Sequence, residues 1–198
     1  MINKKEFLTR FKHLLKDAKG VLVCLTGGVD SALVLTSAAR IVKENIVAIT
    51  FISPLQSQRS IQRAHDIARM LKVPHITYNY YPLSCKEIRF NKPQRCYVCK
   101  GRMFSLARKI AEEKGLTDIF DGTHSEDKEE SRPGMRALRE YYIKSPLKEL
   151  GLTKANIRAL AQEMGVANWD LPSESCLATK FPEGIKLSAK ELRESERN

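Results

Sequence analysis

The sequence predicts an α/β fold with a doubly wound, mostly parallel, Rossmann-like sheet. Short apolar runs rich in Val, Ile and Leu alternate along the chain with longer stretches of helical periodicity. This alternation is typical of crossover units, in which each helix connects two neighbouring parallel strands. A ligand crevice is then expected at the carboxyl ends of the strands.

The predicted elements follow one another in a simple order. Four apolar runs predict strands over residues 20–26, 46–52, 75–81 and 116–123. Five amphipathic stretches predict helices over residues 3–18, 30–43, 60–73, 96–114 and 153–164. The polar stretch 124–134 predicts a loop, and Ser188 with Glu191 forms a capping-box pattern at the start of a new helix. We therefore expect one domain over residues 1–187, followed by the start of a truncated C-terminal segment over residues 188–198.

The composition narrows the classes of function. Of the 198 residues, 42% are apolar and 29% are charged, and no apolar run approaches the roughly 18 residues of a membrane helix. The first residues lack the apolar core of a signal peptide, so we expect a cytoplasmic protein with no membrane partner. The net charge of +11 favours anionic partners such as nucleotides, phosphorylated metabolites or RNA, without choosing among them.

The segment LTGGVDS, residues 25–31, joins the first predicted strand to a helix and is called the glycine turn below. Glycines in such a turn let backbone N–H groups and the helix dipole face an anion. Asp30 would repel a phosphate alone, but it can hold a Mg²⁺ ion that phosphates also bind. The turn has neither the Walker A nor the G-x-G-x-x-G pattern, and a plain turn with a capping aspartate is the alternative. The predicted contacts of a Mg²⁺–polyphosphate are Thr26, Gly27, Gly28, Val29, Asp30 and Ser31.

An odd number of cysteines, five, without a secretion signal argues against a disulfide framework. Cys96 and Cys99 form a C-x-x-C pair at a predicted helix start, where two thiols can share one metal or cluster. The helix dipole and the cations Arg95, Lys100 and Arg102 are expected to favour thiolates there. Taken alone, the pair fits a zinc half-site, a redox pair or two packed thiols.

Cys176 lies among small and polar residues, which is unusual for a core cysteine. Together with Cys96 and Cys99 it suggests a 4Fe–4S cluster with one open iron. A nucleophilic or sacrificial thiol, a zinc site with His124 as fourth ligand, and no function are the alternatives. The other two cysteines are given no chemical role.

The glycine turn resembles the SGGxDS pyrophosphate loop of PP-loop ATP pyrophosphatases, with threonine in place of the first serine. Five motifs follow in an order that resembles LarE-type enzymes, which insert sulfur during assembly of the nickel-pincer cofactor of lactate racemase. They are LTGGVDSA, NKPQRCYVCK, DGTHSED with SRPGMRALRE, SPLKELGLTKANIR and WDLPSESCLATK, between about residues 20 and 187. The resemblance implies an adenine nucleotide alpha hydrolase (PP-loop) fold, with an ATP pyrophosphatase domain over residues 1–187.

The same resemblance implies an ATP-dependent sulfur transferase. ATP would adenylate a carboxylate of pyridinium-3,5-biscarboxylic acid mononucleotide or a similar small acid, and sulfur would then displace AMP. Asp30 is implied as a catalytic Mg²⁺ ligand and Cys176 as the catalytic thiol, whose sulfur some members sacrifice. Other members use three cysteines, here Cys96, Cys99 and Cys176, to hold a 4Fe–4S cluster that carries exchangeable sulfide. Further nucleotide contacts implied by the motifs are Gly122, Thr123, Asp127 and Arg132.

Two rival functions and the oligomeric state are left open by the residues. A tRNA-thiolating PP-loop enzyme would share the ATP chemistry and fit the charge of +11, although aromatic residues, which stack on RNA bases, make up only 7%. A non-catalytic protein that binds a nucleotide or a cluster is the second rival. A homo-oligomer fits any of these functions. CLATK stands where the resembled family commonly has CLASR, and Lys180 keeps the positive charge without a forked guanidinium.

Overall fold

A computed structural model describes residues 2–127 and 134–196. The strands are β1 (Val21–Cys24), β2 (Ile46–Ile52), β3 (His75–Asn79) and β4 (Asp118–Phe120). The longer helices are α1 (Lys4–Leu14), α2 (Val29–Ile41), α3 (Gln58–Met70), α5 (Arg95–Glu113) and α8 (Lys154–Glu163). The shorter helices are α4 (Lys86–Arg89), α6 (Met135–Glu140), α7 (Pro146–Glu149) and α9 (Ala189–Glu194), with 3₁₀ turns at Pro82–Ser84 and Leu177–Lys180.

The strands pair in parallel in the order β3-β2-β1-β4. Val21 of β1 lies opposite Ile46 of β2 on one side and Asp118 of β4 on the other. The chain moves outward from β1 through β2 to β3 and then returns to the far side of β1. This reversal puts the ends of β1 and β4 side by side, at the switch point where ligands bind in such sheets. The predicted doubly wound, parallel α/β fold is confirmed.

Helices cover both faces of the sheet. Phe7 and Phe11 of α1 are fully buried on one face together with residues of α2, α3 and α8, and the rings of Phe11 and Phe120 meet edge to face at 6.0 Å. Helices α5 and α6 pack on the other face. Along β1, Val23 enters the first layer and Leu22 the second, as the alternation of side chains in a strand requires.

A third, smaller apolar cluster joins distant parts of the chain. It contains Leu55 after β2, Ile88 of α4 and Leu177, and also Leu187 and Leu192 near the C-terminal end. Helix α9 begins at Ala189, with the Ser188 hydroxyl accepting from the Glu191 N–H at 3.2 Å, as its capping pattern predicts. This cluster therefore fixes the segment around the 3₁₀ turn Leu177–Lys180 against the carboxyl end of β2.

The observed elements differ from the predicted ones mainly at their ends. Strand β4 ends at Phe120, which bridges to Lys144, and the Asp121 N–H then donates to the Lys144 carbonyl at 3.0 Å. Helices α6 and α7 were not predicted, since six and four residues are too few to show helical periodicity. Within the described ranges, no helix has both the length and the apolar character needed to cross a membrane.

Candidate nucleotide and thiol site

The glycine turn opens helix α2 at the carboxyl end of β1. Gly27 has a φ of +80°, and a Cβ atom added there would lie 2.0 Å from the carbonyl oxygen of Ser60. Only glycine fits this close approach to α3. Gly28 is the N-cap of α2 and supplies no side chain to the N–H groups of residues 29–31, the first turn of the helix. These N–H groups and the positive end of the helix form a geometry suited to an anion.

The two hydroxyl side chains of the turn hold its shape. The Ser31 hydroxyl donates to the Gly28 carbonyl at 3.1 Å and accepts from the Thr26 N–H at 3.2 Å. The Thr26 hydroxyl accepts from the Gly28 N–H at 3.4 Å. Both hydroxyls therefore order the turn itself, and their contact with a polyphosphate stays a prediction.

Side chains from three other segments hold the turn from outside. The Gly27 carbonyl accepts from the buried Asn168 side chain at 2.9 Å and from Arg63 Nε at 3.2 Å. Gln56 donates to the carbonyl of Thr26 at 3.3 Å. None of these contacts was predicted, because the partners lie far from the turn in sequence and belong to no local motif.

Asp30 forms an ion pair with Lys154 at the start of α8. The ammonium of Lys154 lies 2.6 and 2.7 Å from the two carboxylate oxygens, and both side chains are 24% exposed. The backbone N–H of Lys154 donates to Glu126 at 2.6 Å, which places a second carboxylate at the N-terminus of α8. The predicted Mg²⁺ ligand thus faces the turn while a lysine ammonium neutralises it.

The end of β4 lies directly against the first turn of α2. A Cβ atom on Gly122 would be 2.7 Å from the backbone nitrogen of Ser31, so the close approach requires glycine. Asp121, nearly buried, accepts from the Thr123 N–H at 3.1 Å, from the Thr123 hydroxyl, and from the Ser145 hydroxyl at 2.7 Å. The structure therefore brings Gly122 and Thr123, both predicted nucleotide contacts, beside the glycine turn.

Asp127 is a buried residue of the loop that follows. Its carboxylate accepts from the His124 N–H at 3.1 Å and lies 3.7 Å from the His124 imidazole. His124, which was considered as a zinc ligand, is thus engaged with Asp127. The predicted phosphate contact Arg132 lies outside the described residues.

The thiols of the C-x-x-C pair and of Cys176 share one neighbourhood. Cys99 and Cys176 both pack against the third apolar cluster, and so does Cys85, to which the sequence assigned no role. The Cys96 thiol is close enough to Cys99 and Cys176 to influence the pKa of both. The three thiols therefore lie near one another, and their sharing of a cluster stays a prediction.

Two polar side chains at the start of α5 hold the segment that carries Cys176. Asn91, buried and in the left-handed region at a φ of 44°, donates to the carbonyls of Phe181 at 2.9 Å and Pro182 at 2.8 Å. Arg95 donates to the carbonyl of Ala178 at 3.2 Å. These contacts fix the Leu177–Lys180 turn beside the C-x-x-C pair.

The expectation that thiolates are favoured is wrong for Cys99. Burial raises the pKa of Cys99 to about 12, and the nearby Cys176 and Cys96 thiols raise it further, against lowering by Tyr80 and Arg95. Burial also raises the pKa of Cys176. Desolvation outweighs the helix dipole and the neighbouring cations, because it removes the water that would stabilise a thiolate.

The fit of a metal or cluster can be judged from these positions. Among the residues that the structure describes, no three His, Cys, Asp or Glu side chains form a group able to hold a metal ion. As placed, the thiols therefore do not form a preformed site for a single metal ion. The 4Fe–4S assignment remains a prediction.

Glu174 is the second attachment of the Cys176 segment and was missed by the sequence. Its carboxylate accepts from Arg63 at 2.5 Å and from the Ser57 hydroxyl at 2.6 Å. Burial raises the pKa of Glu174, but these hydrogen bonds and the Arg63 charge outweigh it, and the pKa lies below its ordinary value. The result is a continuous path of contacts from the Gly27 carbonyl through Arg63 to the segment that carries the thiol.

Fold and site together define a known class of architecture. The sequence model of the NAD synthase family matches residues 3–100, which include the glycine turn and the C-x-x-C pair. Among solved structures, an NMN synthetase from Francisella tularensis aligns with a TM-score of 0.69 over 98% of this chain and 86% of that chain, at 15% identity. The chain has the PP-loop α/β fold of such synthetases.

Two curated relatives are more similar in sequence. The chain is 33% identical over 177 residues to pyridinium-3,5-bisthiocarboxylic acid mononucleotide synthase from Lactiplantibacillus plantarum. This alignment covers 88% of this chain and 63% of that protein. It is 29% identical over 186 residues to an uncharacterised protein from Synechocystis, with coverages of 94% and 69%. The chain thus spans about two thirds of the length of these relatives.

Proposed function

We propose that the protein is an ATP-dependent sulfur transferase that converts a carboxylate of pyridinium-3,5-biscarboxylic acid mononucleotide, or of a similar small acid, into a thiocarboxylate. The observation that carries the proposal is the contact path from Gly27 through Arg63 to Glu174, which ties a thiol-bearing segment to an anion-binding turn. The similarity to the pyridinium-3,5-bisthiocarboxylic acid mononucleotide synthase supports it. Adenylation followed by attack of sulfur needs a nucleotide site and a sulfur source at one edge of the sheet.

The proposed reaction begins with adenylation of the acid, followed by attack of sulfur. A carboxylate oxygen of the acid attacks the α-phosphorus of ATP, the bond between that phosphorus and the bridging oxygen breaks, and pyrophosphate leaves. A sulfur nucleophile then attacks the acyl carbon, and AMP leaves with the electron pair of the broken C–O bond. With sulfide as the nucleophile, the products are a thiocarboxylate, AMP and pyrophosphate. With the Cys176 thiol, the second step gives a thioester; a base then removes the Cα proton of residue 176, the Cβ–S bond breaks, and the thiocarboxylate leaves dehydroalanine in the chain. Neither route consumes an oxidant or a reductant.

The residues of the glycine turn have distinct roles in the first step. The N–H groups of residues 29–31 would bind phosphate oxygens as charge builds on the leaving pyrophosphate. Asp30 would hold Mg²⁺, which neutralises charge on the polyphosphate. Lys154, displaced from Asp30, would then pair with a phosphate oxygen, since both groups face the same turn. Gly122 and Thr123 would border the nucleotide from the β4 side.

Two sources of the sulfur are compatible with this proposal. Cys176 would supply the nucleophilic sulfur itself, or the three thiols of Cys96, Cys99 and Cys176 would hold a cluster that carries sulfide. Iron and labile sulfide content of anaerobically reconstituted protein, measured for each alanine variant, separates these forms. Stoichiometric iron that is lost in each variant indicates the cluster, and iron-free protein that yields one thiocarboxylate per chain indicates Cys176.

The test of the function uses two variants and one matched control. We expect Asp30→Asn to abolish formation of AMP, because the Mg²⁺ ligand is lost. We expect Cys176→Ala to keep ATP–pyrophosphate exchange and lose thiocarboxylate, whereas Cys85→Ala, in the same apolar cluster, keeps both. Binding of ATP without AMP formation, with every acid tried, would overturn the proposal in favour of a non-catalytic nucleotide protein.

A tRNA-thiolating function is not favoured over this proposal. The relative at 33% identity is named for a mononucleotide product, and that similarity spans 88% of this chain. The charge of +11 by itself fits a phosphorylated small substrate as well as RNA.

A further inference from the structure

Arg63 lies between the glycine turn and the segment that carries Cys176. Its Nε donates to the Gly27 carbonyl at 3.2 Å, and its terminal nitrogen donates to Glu174 at 2.5 Å. The side chain of Arg63 is 23% exposed, so its charge is only partly screened by water. One guanidinium therefore contacts both the phosphate-binding turn and the thiol segment.

Glu174 is held on its second oxygen as well. The Ser57 hydroxyl donates to it at 2.6 Å, while the same hydroxyl accepts from the Ser60 N–H at 3.0 Å as the N-cap of α3. Glu174 precedes Cys176 by two residues, so these contacts set where the thiol segment lies. Cys176 itself is half-buried against the third apolar cluster.

We propose that Arg63 and Glu174 are positioning residues that couple occupancy of the glycine turn to the accessibility of the Cys176 thiol. The inference rests on the proposed function, because it takes a polyphosphate to be the ligand of the turn. Without nucleotide, the ion pair holds the Cys176 segment in place. A polyphosphate at the turn competes with Glu174 for the Arg63 guanidinium, since both are anions and Arg63 already contacts the turn.

The coupling implies that nucleotide binds before the Cys176 thiol becomes accessible. The Cys176 segment is released only when nucleotide is bound, so the thiol meets solvent and small electrophiles less often while the turn is empty. The released segment keeps its Asn91 and Arg95 contacts, which hold it at the edge of the sheet where the acyl adenylate would form.

The experiment measures alkylation of Cys176 by iodoacetamide with and without Mg²⁺ and α,β-methylene-ATP, which cannot be cleaved at the α–β position. Tryptic cleavage gives residues 159–180 as one peptide in which Cys176 is the only cysteine, so mass spectrometry reports this thiol alone. The variants are Arg63→Met and Glu174→Gln. The matched control is Arg69→Met, which removes an exposed arginine of the same helix that pairs with Asp66.

We expect the analogue to raise the alkylation rate of Cys176 about two- to fivefold in the wild type and in the Arg69→Met control, the range expected for loss of one partly exposed ion pair. In Arg63→Met and Glu174→Gln the rate should already be raised without nucleotide and should not change further when it is added. Equal responses to the analogue in all four proteins would overturn the coupling, as would no response in the wild type.

Calorimetric titration of the same analogue separates this inference from the proposed function. If the analogue binds the wild type and leaves Cys176 alkylation unchanged, the coupling is wrong while the nucleotide site stands. If it does not bind at all, the proposed function and the coupling both fail. Circular dichroism of each variant establishes that the fold is kept, and urea unfolding reports any loss of stability.

Discussion

At the scale of single residues, the candidate site depends on two glycines that have no room for a side chain. Gly27 approaches the Ser60 carbonyl, and Gly122 approaches the backbone of Ser31. Each contact brings one backbone segment against another, which a flexible side chain could not relieve by moving aside. The position of the glycine turn relative to α3 and β4 is therefore fixed by the absence of two Cβ atoms.

Gly27→Ala tests this dependence, with Gly115→Ala as its matched control. Both glycines have a positive φ, but an added Cβ at Gly115 meets nothing within 4 Å. We expect Gly115→Ala to lower the free energy of unfolding by about 1–2 kcal/mol, the cost of a left-handed alanine. Gly27→Ala adds the clash with the Ser60 carbonyl, so its free energy of unfolding, measured with urea, should fall by clearly more than that of Gly115→Ala. We also expect Gly27→Ala to lose nucleotide binding. Equal losses in the two variants would show that the clash is relieved without cost.

At the scale of elements, β2 and β3 are joined to the glycine turn by a short chain of hydrogen bonds. The buried Thr50 hydroxyl donates to the Leu25 carbonyl at 2.7 Å, so it can only accept from Nε2 of His75, which lies 2.8 Å away. His75 also meets the ring of His65 at 4.8 Å. The neutral form of His75 with its proton on Nε2 therefore supports the strand end from which the turn starts.

The stability of this part of the protein should depend on pH. Burial, together with the neighbouring His65, lowers the pKa of His75 from 6.5 to about 4. The unfolded chain then binds more protons between these values, so the free energy of unfolding falls as the pH falls from about 6.5 to 4. Because the ring is half-exposed, we expect a loss of about 1–2 kcal/mol, measured by urea unfolding across this range.

His75→Gln should remove this part of the pH dependence, and His13→Gln, at an exposed position of α1, should not. Parallel pH profiles for the wild type and His75→Gln would contradict the assignment.

Elements with strong local sequence patterns could be predicted, whereas contacts between distant segments could not. Strand β2 was predicted with its observed bounds, and the glycine turn was predicted at the start of α2, because both have strong local patterns. The partners of the turn were not predicted: Asn168 is 141 residues from Gly27, and Arg63 is 36 residues away. A single polar residue in a helix or loop shows no periodicity, so its long-range partner emerges only once the fold brings the segments together. The contact of Lys154 with Asp30, 124 residues away, was not predicted either.

At the scale of the whole molecule, the switch point of the sheet gathers short segments from most of the chain. The segments come from the ends of β1, β2 and β4, from the starts of α7 and α8, and from the stretch around Cys176. Few of these contacts lie within one element, so local stability of any single helix does not preserve the site. Binding of a ligand at the switch point should therefore stabilise the molecule as a unit.

Mg²⁺ with α,β-methylene-ATP should raise the free energy of unfolding by about 2.7 kcal/mol at a ligand concentration one hundred times its Kd. In Asp30→Asn, the rise in the free energy of unfolding caused by the analogue should no longer depend on Mg²⁺. The control variant Asp66→Asn should show the same Mg²⁺ dependence as the wild type. Thermal unfolding at several ligand concentrations measures the gain. A gain in Asp30→Asn that depends on Mg²⁺ as strongly as in the wild type would exclude Asp30 as the Mg²⁺ ligand.

The two hydrogen bonds to the Gly27 carbonyl also have a consequence for biosynthesis. The ribosome makes Gly27 and Arg63 early, but Asn168 follows Gly27 by 141 residues. At translation speeds of about 5–20 residues per second, the interval is about 7 to 28 s. A nascent chain can thus form β1, β2 and the helix between them well before the turn has all its supports. The turn thus gains its last hydrogen-bonding support only when translation has nearly reached Cys176.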